Sequence, residues 1–449
     1  MKTNFFKSYF ILLQKIILFS LFTFSINAEV VVGSLNAESG SVSKIAEMII
    51  EAQRVAADYI NSDGEGIKGR GLLKIEKIDT GCDPRKAVAA ANQLINRVNP
   101  ELLIGPTCSS SAIQVAKEVS VPKNILLISP SASSPDISSM DDKNLVFRTI
   151  PSDTQQALSL AEYLLSININ EVLMLYETDT YNSTLSQIFL QEYTDKGGWV
   201  RYKTRLEPDT FIDSKFINAF LETAFSAIGD RQKPKIADYP ALIMFSYGNE
   251  RTARLLQQFF VKINERLLDL NIPRVFSHYY GSDGMLTDKI KDLIYSYAPY
   301  GFNNEITIVA QATSQSSPEF QSYANIMLNA GVNPNSPYSA ISFDTMMLVA
   351  LALQDNIYNS KNDLSIVDSI FRVANPPGVK VGPGEWKSGQ SLLLRGVDIN
   401  YEGVSGPLNF DKFGDVGGLY SLNQVSFENT WIVVPIEPLN PIKPQIFID

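Results

Sequence analysis

From residue 29 onward the chain alternates short apolar runs with amphipathic stretches, and few folds accept that alternation. Glu29–Leu35 (EVVVGSL) is an apolar run, followed by a Ser/Gly loop at Ser39-Gly40-Ser41. Next, Ile45, Met48, Ile49, Ala52, Val55, Ala56 and Tyr59 recur with the spacing of one helical face. Leu72–Asp79 alternates as a strand, and Pro84–Val98 predicts a helix with proline in its first turn. Leu102–Ile104, Ser110–Val119 and Ile125–Ile128 continue the series as strand, helix and strand. A second series begins after Phe147–Ser152, with strands at Val172–Tyr176, Ala241–Phe245, Val275–Ser277 and Ile306–Val309. Helices are predicted at Gln155–Leu165, Glu250–Leu268 and Tyr338–Asn356, and tail strands at Gly403–Phe410, Gly417–Phe427 and Trp431–Val434. Strands separated by helices make parallel sheets covered on both faces, so the pattern gives an α/β fold class with two lobes and a β tail. Ligands of such sheets collect outside the carboxyl ends of the strands.

Composition removes several functions. The 449 residues carry 38 Lys+Arg against 48 Asp+Glu, a net charge of −10, which disfavours binding to a phosphate backbone; no nucleic-acid partner is expected. One histidine, His278, leaves little room for a His-based metal site or a Ser-His-Asp triad, and two cysteines cannot build a four-cysteine cluster. Neither a metal nor a cofactor is expected. At the start, Lys2 and Lys7 precede an apolar segment, Ile16–Phe24, and Ser25-Ile26-Asn27-Ala28 suits a cleavage site. Residues 1–28 are therefore expected to be a signal peptide; a membrane anchor is the alternative, weakened by Lys15, which interrupts the apolar run. Export makes one disulfide between Cys82 and Cys108 plausible chemistry, with two independent thiols as the other possibility.

Some motifs fail on context. Gly64-Glu-Gly66-Ile-Lys-Gly69 matches a dinucleotide fingerprint, but a helix precedes it and a strand follows, the reverse of what that site needs. Ser41-Val-Ser-Lys44 and Lys387-Ser-Gly389 resemble parts of a serine-enzyme set without its remaining element. No enzyme constellation results.

Three strand-end loops do form a chemical set. Gly105–Ser111 (GPTCSSS) opens a helix, where free N–H groups suit an anion. Ser129–Ser134 (SPSASS) adds small hydroxyls, and Tyr280–Gly284 (YGSDG) puts Asp283 between glycines in the second series. Donors on one side and a carboxylate on the other complement a zwitterion, with the carboxylate at Ser109 and the ammonium at Asp283.

At these residues the chain resembles the periplasmic branched-chain amino-acid-binding proteins, the Leu/Ile/Val-binding-protein-like members of the type I solute-binding fold that serve ABC transporters. The resemblance rests on Ala57–Asn61 with Gly66–Gly69, Asp79–Pro84 with Ala87–Asn92, Ile104-Gly105 with Cys108–Ser111, Ile128–Pro130, and Gly403–Asp415, in the family's order. It implies a type I periplasmic binding protein fold, two doubly wound parallel-sheet lobes joined by crossovers near Thr149–Ser152, Val309–Thr313 and Ser405–Leu408. Residues 29–150 and 312–406 would form lobe one, and residues 151–311 and 407–449 lobe two. The resemblance puts Cys82 and Cys108 at the family disulfide. It also implies a ligand site of Ser109, Ser131, Ser133, Tyr181, Tyr247 and Asp283. Ser131 and Ser133 stand where the family has Ala and Thr, Asp283 where it has Glu, and the segment Asp209–Asp238 is longer than usual. The expected protein is a periplasmic, soluble, monomeric, non-enzymatic receptor. It would close on an amino acid by hinge motion and deliver it to membrane permease subunits. A receptor for a neutral amide or urea-like solute is the second reading.

Overall fold

The computed structural model describes residues 29–207, 213–228, 239–270, 275–296, 306–359, 364–426 and 428–435. The expected signal peptide, the ends of the 209–238 segment and the residues after 435 lie outside the described residues. Strands β1 (Glu29–Asn36), β2 (Leu72–Asp79), β3 (Leu103–Ile104), β4 (Leu127–Ser129) and β5 (Val146–Arg148) form a parallel sheet in the order β2-β1-β3-β4-β5. Helix α1 (Ser43–Ile60) buries Ile45, Ile49, Ala52, Val55 and Ala56, the face anticipated from spacing. Each larger aliphatic side chain so buried stabilises by roughly 1.5–3 kcal/mol. Helix α2 (Pro84–Val98) starts where the Asp83 carboxylate accepts the Lys86 N–H at 2.7 Å, and ends at Asn99 in the left-handed region. Helix α3 (Ser109–Val115) runs on through a π turn at Ala116–Ser120 to Lys123, longer than the expected Ser110–Val119. The Gly64–Gly69 motif is the turn between α1 and β2, with Gly66 and Gly69 at positive φ.

The second sheet has the order β15-β14-β10-β9-β8-β6-β7. Its parallel strands are β6 (Glu171–Glu177), β7 (Trp199–Leu206), β8 (Ala241–Phe245), β9 (Tyr279–Ser282) and β10 (Ile306–Gln311); β14 (Tyr420–Val425) and β15 (Trp431–Pro435) add antiparallel edges. Helices α4 (Asp153–Ser166), α5 (Thr180–Asp195), α6 (Ser214–Ile228), α7 (Glu250–Leu270) and α8 (Asp288–Ser296) connect them. The strand expected at Val275–Ser277 is displaced: Val275 and Phe276 plug the core, and pairing with β8 and β10 begins at Tyr279.

The chain then returns to the first sheet. Helix α9 (Pro318–Asn329) leads to α10 (Ser339–Asn359), whose Phe343 and Met346–Leu353 are at most 1% exposed. A helix apolar all round belongs in a core, and α10 shares one hydrophobic cluster with α1 and β1. Helices α11 (Ile366–Ala374) and α12 (Trp386–Leu393) flank a small sheet of β11 (Val379–Val381), β12 (Ile399–Gly403) and β13 (Gly406–Pro407). The expected strand Gly403–Phe410 is thus a tight β12–β13 hairpin followed by irregular chain. Leu408, Phe410 and Val416 still pack in the first lobe's core, so the chain passes to the second sheet after Val416, later than Ser405–Leu408.

The three connections between the lobes are tied to each other. Thr149 and Thr345 hydroxyls lie 2.7 Å apart, joining the first connection to α10. Asp344 of the same helix accepts from Tyr401 Oη (2.8 Å), Val404 N (3.1 Å), Ser405 N (2.7 Å) and Ser405 Oγ (2.6 Å). Gln311 Nε2 donates to Ser405 O at 3.1 Å, joining the second connection to the third.

Candidate ligand site

The first wall of the cleft is made by the loops after β1, β3 and β4. The β3 loop folds tightly because Gly105, at φ 98°, lies where a Cβ would come within 2.2 Å of Leu35 O. It then delivers Thr107, Cys108 and Ser109 to the cleft. Cys108 is disulfide-bonded to Cys82, which fastens the start of α3 to the loop before α2. The first helical bond of α3 runs from Ala112 N to Cys108 O, so the N–H groups of Ser109, Ser110 and Ser111 precede it. Ser109 Oγ accepts from Ser134 N at 3.3 Å, and Ser131 Oγ donates to Thr107 O at 2.9 Å. The residues that these loops present to the cleft, Val42, Thr107, Cys108, Ser109 and Ser131, are all uncharged.

The second wall is acidic and phenolic. Asp179 caps α5 through the Tyr181 and Asn182 N–H groups and accepts the Tyr247 hydroxyl at 3.0 Å. Tyr181 and Tyr247 stack with centroids 5.6 Å apart. Asp283, at the end of β9, accepts from the Tyr181 hydroxyl, from Gln156 Nε2 (2.9 Å) and from the Tyr338 hydroxyl (2.9 Å). Tyr338 precedes α10 of the first lobe, so its bond to Asp283 crosses the cleft. The two walls touch directly: Val42, Ile45 and Cys108 share a hydrophobic cluster with Tyr181 and Tyr247. The cleft is therefore closed in this structure.

Ser109, Ser131, Tyr181 and Tyr247 come together on one cavity of roughly 320 Å³, part of it open to solvent, with Thr107, Tyr338 and Gly284 among the other residues around it. A Cβ at Gly284 would sit 3.2 Å from both tyrosine rings, so glycine keeps that wall open. Asp283 does not line this cavity; it stands behind Tyr181 and Tyr338 and faces a larger space toward the hinge. Ser133 is also set back: its carbonyl accepts from Arg148 Nη1 (2.8 Å) and Asp153 N (2.9 Å).

Asp153, Tyr338, Gln156 and Thr107 escaped the sequence reading. Asp153 is 1% exposed, and its Oδ2 has no hydrogen-bond partner among the described residues. Burial pushes its carboxyl well above the ordinary range, the negative charge of Asp283 adds to that, and the Ser133 hydroxyl and Arg148 oppose it. Burial, then Asp283, raises the Tyr181 phenol as well, so it stays a donor. Arg148 is buried, but its guanidinium is engaged with Asp415 at 2.6 and 2.8 Å. A ligand anion would therefore meet neutral donors, while Asp283 stands behind Tyr181 and Tyr338, with the buried Asp153 set back from the lining. No grouping of three or more metal-ligating side chains occurs among the described residues.

Comparison with known proteins agrees with this architecture. The family model described as "Receptor family ligand binding region" matches residues 50–427. The Leu/Ile/Val/Thr-binding protein of Salmonella typhimurium is 32% identical over 171 residues, 38% of this chain and 45% of that protein. The chain thus spans under half the length of such curated relatives, which are named as binding proteins for leucine, isoleucine, valine and, in one case, threonine. A branched-chain amino acid transporter substrate-binding protein from Streptococcus pneumoniae, solved with isoleucine, superposes with TM-score 0.65 at 16% identity, covering 91% of this chain and 99% of that one. A solute-binding protein from R. palustris, solved with benzoate, superposes with TM-score 0.65 at 17% identity, covering 92% and 97%. The shared fold is that of type I periplasmic binding proteins.

Proposed function

Because the chain belongs to the receptor ligand-binding-region family, we propose that it is an ABC-transporter solute receptor that captures an α-amino acid between its lobes. The observation that carries this reading is the opposed chemistry of the two walls. Serine hydroxyls and helix N–H groups face the carboxylate, while Asp283, behind Tyr181 and Tyr338, supplies negative charge for an ammonium. A ligand touching both walls favours the closed lobes by contacts that the open form lacks. The names of the relatives, binding proteins for leucine, isoleucine and valine, support an amino-acid ligand.

In this reading Ser109 and Ser131 hold the carboxylate, Tyr181 and Tyr247 wall the ligand, Ser133 sets the position of Asp153, and Asp283 pairs with the ammonium. The receptor acts as a periplasmic monomer after loss of residues 1–28 and docks on membrane permease subunits when closed. Residues 29–150 and 312–416 move as one lobe against 151–311 and 417–435. Among the described residues no helix is long and apolar enough to cross a membrane. The second reading, a neutral amide or urea-like solute, is favoured by Asp283 being satisfied here by neutral donors alone.

Thermal-shift screening separates the two readings. A ligand at about 100 times its Kd adds roughly 2.7 kcal/mol. Stabilisation by α-amino acids and not by their amides or ureas supports the first reading; the reverse supports the second. Mass spectrometry of whatever small molecule copurifies names the ligand directly.

A further inference from the structure

Beside the small cavity lies a second chamber enclosing roughly 760 Å³, part of it open to solvent. Both lobes and the first two connections build its walls: Ile150, Gln311, Ile341, Leu286, Trp431 and Val433 are among them. Asp283 and Tyr338 line it too, so the hydrogen-bonded pair of Asp283 and Tyr338 is the partition between the chambers. Among the described residues Asp283 is its only charged lining residue. The rest of its polar lining is neutral, Gln311, Thr313, Gln315, Asn335 and Asn423 among it, and beneath its surface Gln311 Oε1 and Trp431 Nε1 are buried with no hydrogen-bond partner among the described residues. Buried polar atoms left this way point to a missing partner.

Resting on the amino-acid reading above, we propose that the hinge-side chamber takes the distal part of the ligand, a side chain ending in a neutral carboxamide. The small cavity, crowded by Tyr181, Tyr247 and Tyr338, has room for little beyond the α-carbon and its charged groups. An acidic tail meets the field of Asp283. A basic tail finds that one acid already assigned to the ammonium. A purely aliphatic tail makes no hydrogen bond to the neutral side chains of Gln311, Thr313, Asn335 and Asn423, whereas a carboxamide offers them both a donor and an acceptor. Because both lobes wall the chamber, an occupant there also favours closure.

Calorimetry with glutamine, norvaline and alanine tests the inference on the wild-type protein and on Val433→Trp, which fills the chamber away from the small cavity. Glutamine is expected to bind wild type at least about tenfold more tightly than norvaline, the gain of satisfied polar groups. Val433→Trp should cost glutamine about tenfold and alanine less than about twofold. Norvaline binding as well as glutamine, or an equal loss for all three ligands, overturns the chamber assignment and leaves the receptor reading standing. If no α-amino acid binds wild type, both fall together. Indole fluorescence gives a readout that needs no filled chamber: glutamine but not alanine should shift the emission, and Trp431→Phe should abolish the shift. A glutamine complex whose emission is unchanged overturns the proposal.

Discussion

The two walls of the cleft are built on opposite principles. The first-lobe wall presents neutral donors on short loops: Gly105 packs against Leu35, the Cys82–Cys108 bond fastens α3, and Ser131 is tied to Thr107. The second-lobe wall presents acids that tyrosines and Gln156 already satisfy. One wall keeps the N–H groups at the start of α3 outside the helical ladder, where a ligand anion could reach them. The other is occupied by its own phenols, which stand where an ammonium would. On the proposed reading the difference assigns charge selectivity to the second wall, while the first would hold an anion with neutral donors; Arg148 is engaged with Asp415.

The largest effect should come from the second wall. Asp283→Asn keeps the shape and removes the charge, so affinity for the best α-amino acid should fall by about a hundredfold, within the roughly 2–5 kcal/mol cost of breaking a buried charge pair. Calorimetry checks it; a wild-type affinity would move charge recognition elsewhere.

Asp153 gives the next effect. Its folded pKa is raised, so its contribution to stability is complete below about 4, the unfolded value, and is lost as pH rises toward the folded one. A bound ammonium favours the ionised carboxyl. Ligand affinity should therefore increase as pH rises through the raised pKa, by up to about tenfold per unit, with release of a proton. Calorimetry in buffers of different ionisation enthalpy measures that proton, and Asp153→Asn should abolish its release. Uptake of a proton on binding would contradict the assignment.

The first wall should respond less. Ser109→Ala should weaken binding by about fivefold, roughly 1 kcal/mol for one hydrogen bond, because the helix N–H groups remain. A loss as large as that of Asp283→Asn would erase the distinction between the walls. The smallest effect should carry the opposite sign. Tyr338→Phe removes a phenol that competes for Asp283, so affinity should rise by about threefold, measured by the same titration. A fall would show that Tyr338 keeps its bond in the complex.

Local patterns written in the sequence are reproduced closely by the fold. The alternation of Leu72–Asp79 and the Asp83-Pro84 start of the next helix mark elements whose bounds coincide with the expected ones. The edge strand Trp199–Leu206 was harder to see, because Arg201, Lys203 and Arg205 interrupt any apolar run at the rim of the sheet. Val275 and Phe276 resemble a strand start, yet only tertiary packing reveals them as core plugs. Of the site, the serine loops and Asp283 were legible from small polar residues after apolar runs. Asp153 and Tyr338 were not. Asp153 is an ordinary helix-start acid and Tyr338 an ordinary residue before a helix, until the connections bring both to Asp283.

The central claim is that opposed walls read the two ends of a zwitterion. The most direct measurement is calorimetry on wild-type protein with the best α-amino acid, its des-amino acid and its α-amide. The des-amino acid should bind about a hundredfold more weakly, through loss of the pairing with Asp283. The amide should lose less, about tenfold, because the first wall offers neutral donors. Equal affinity for all three would contradict the account, and tighter binding of the amide would hand the cleft to a neutral solute.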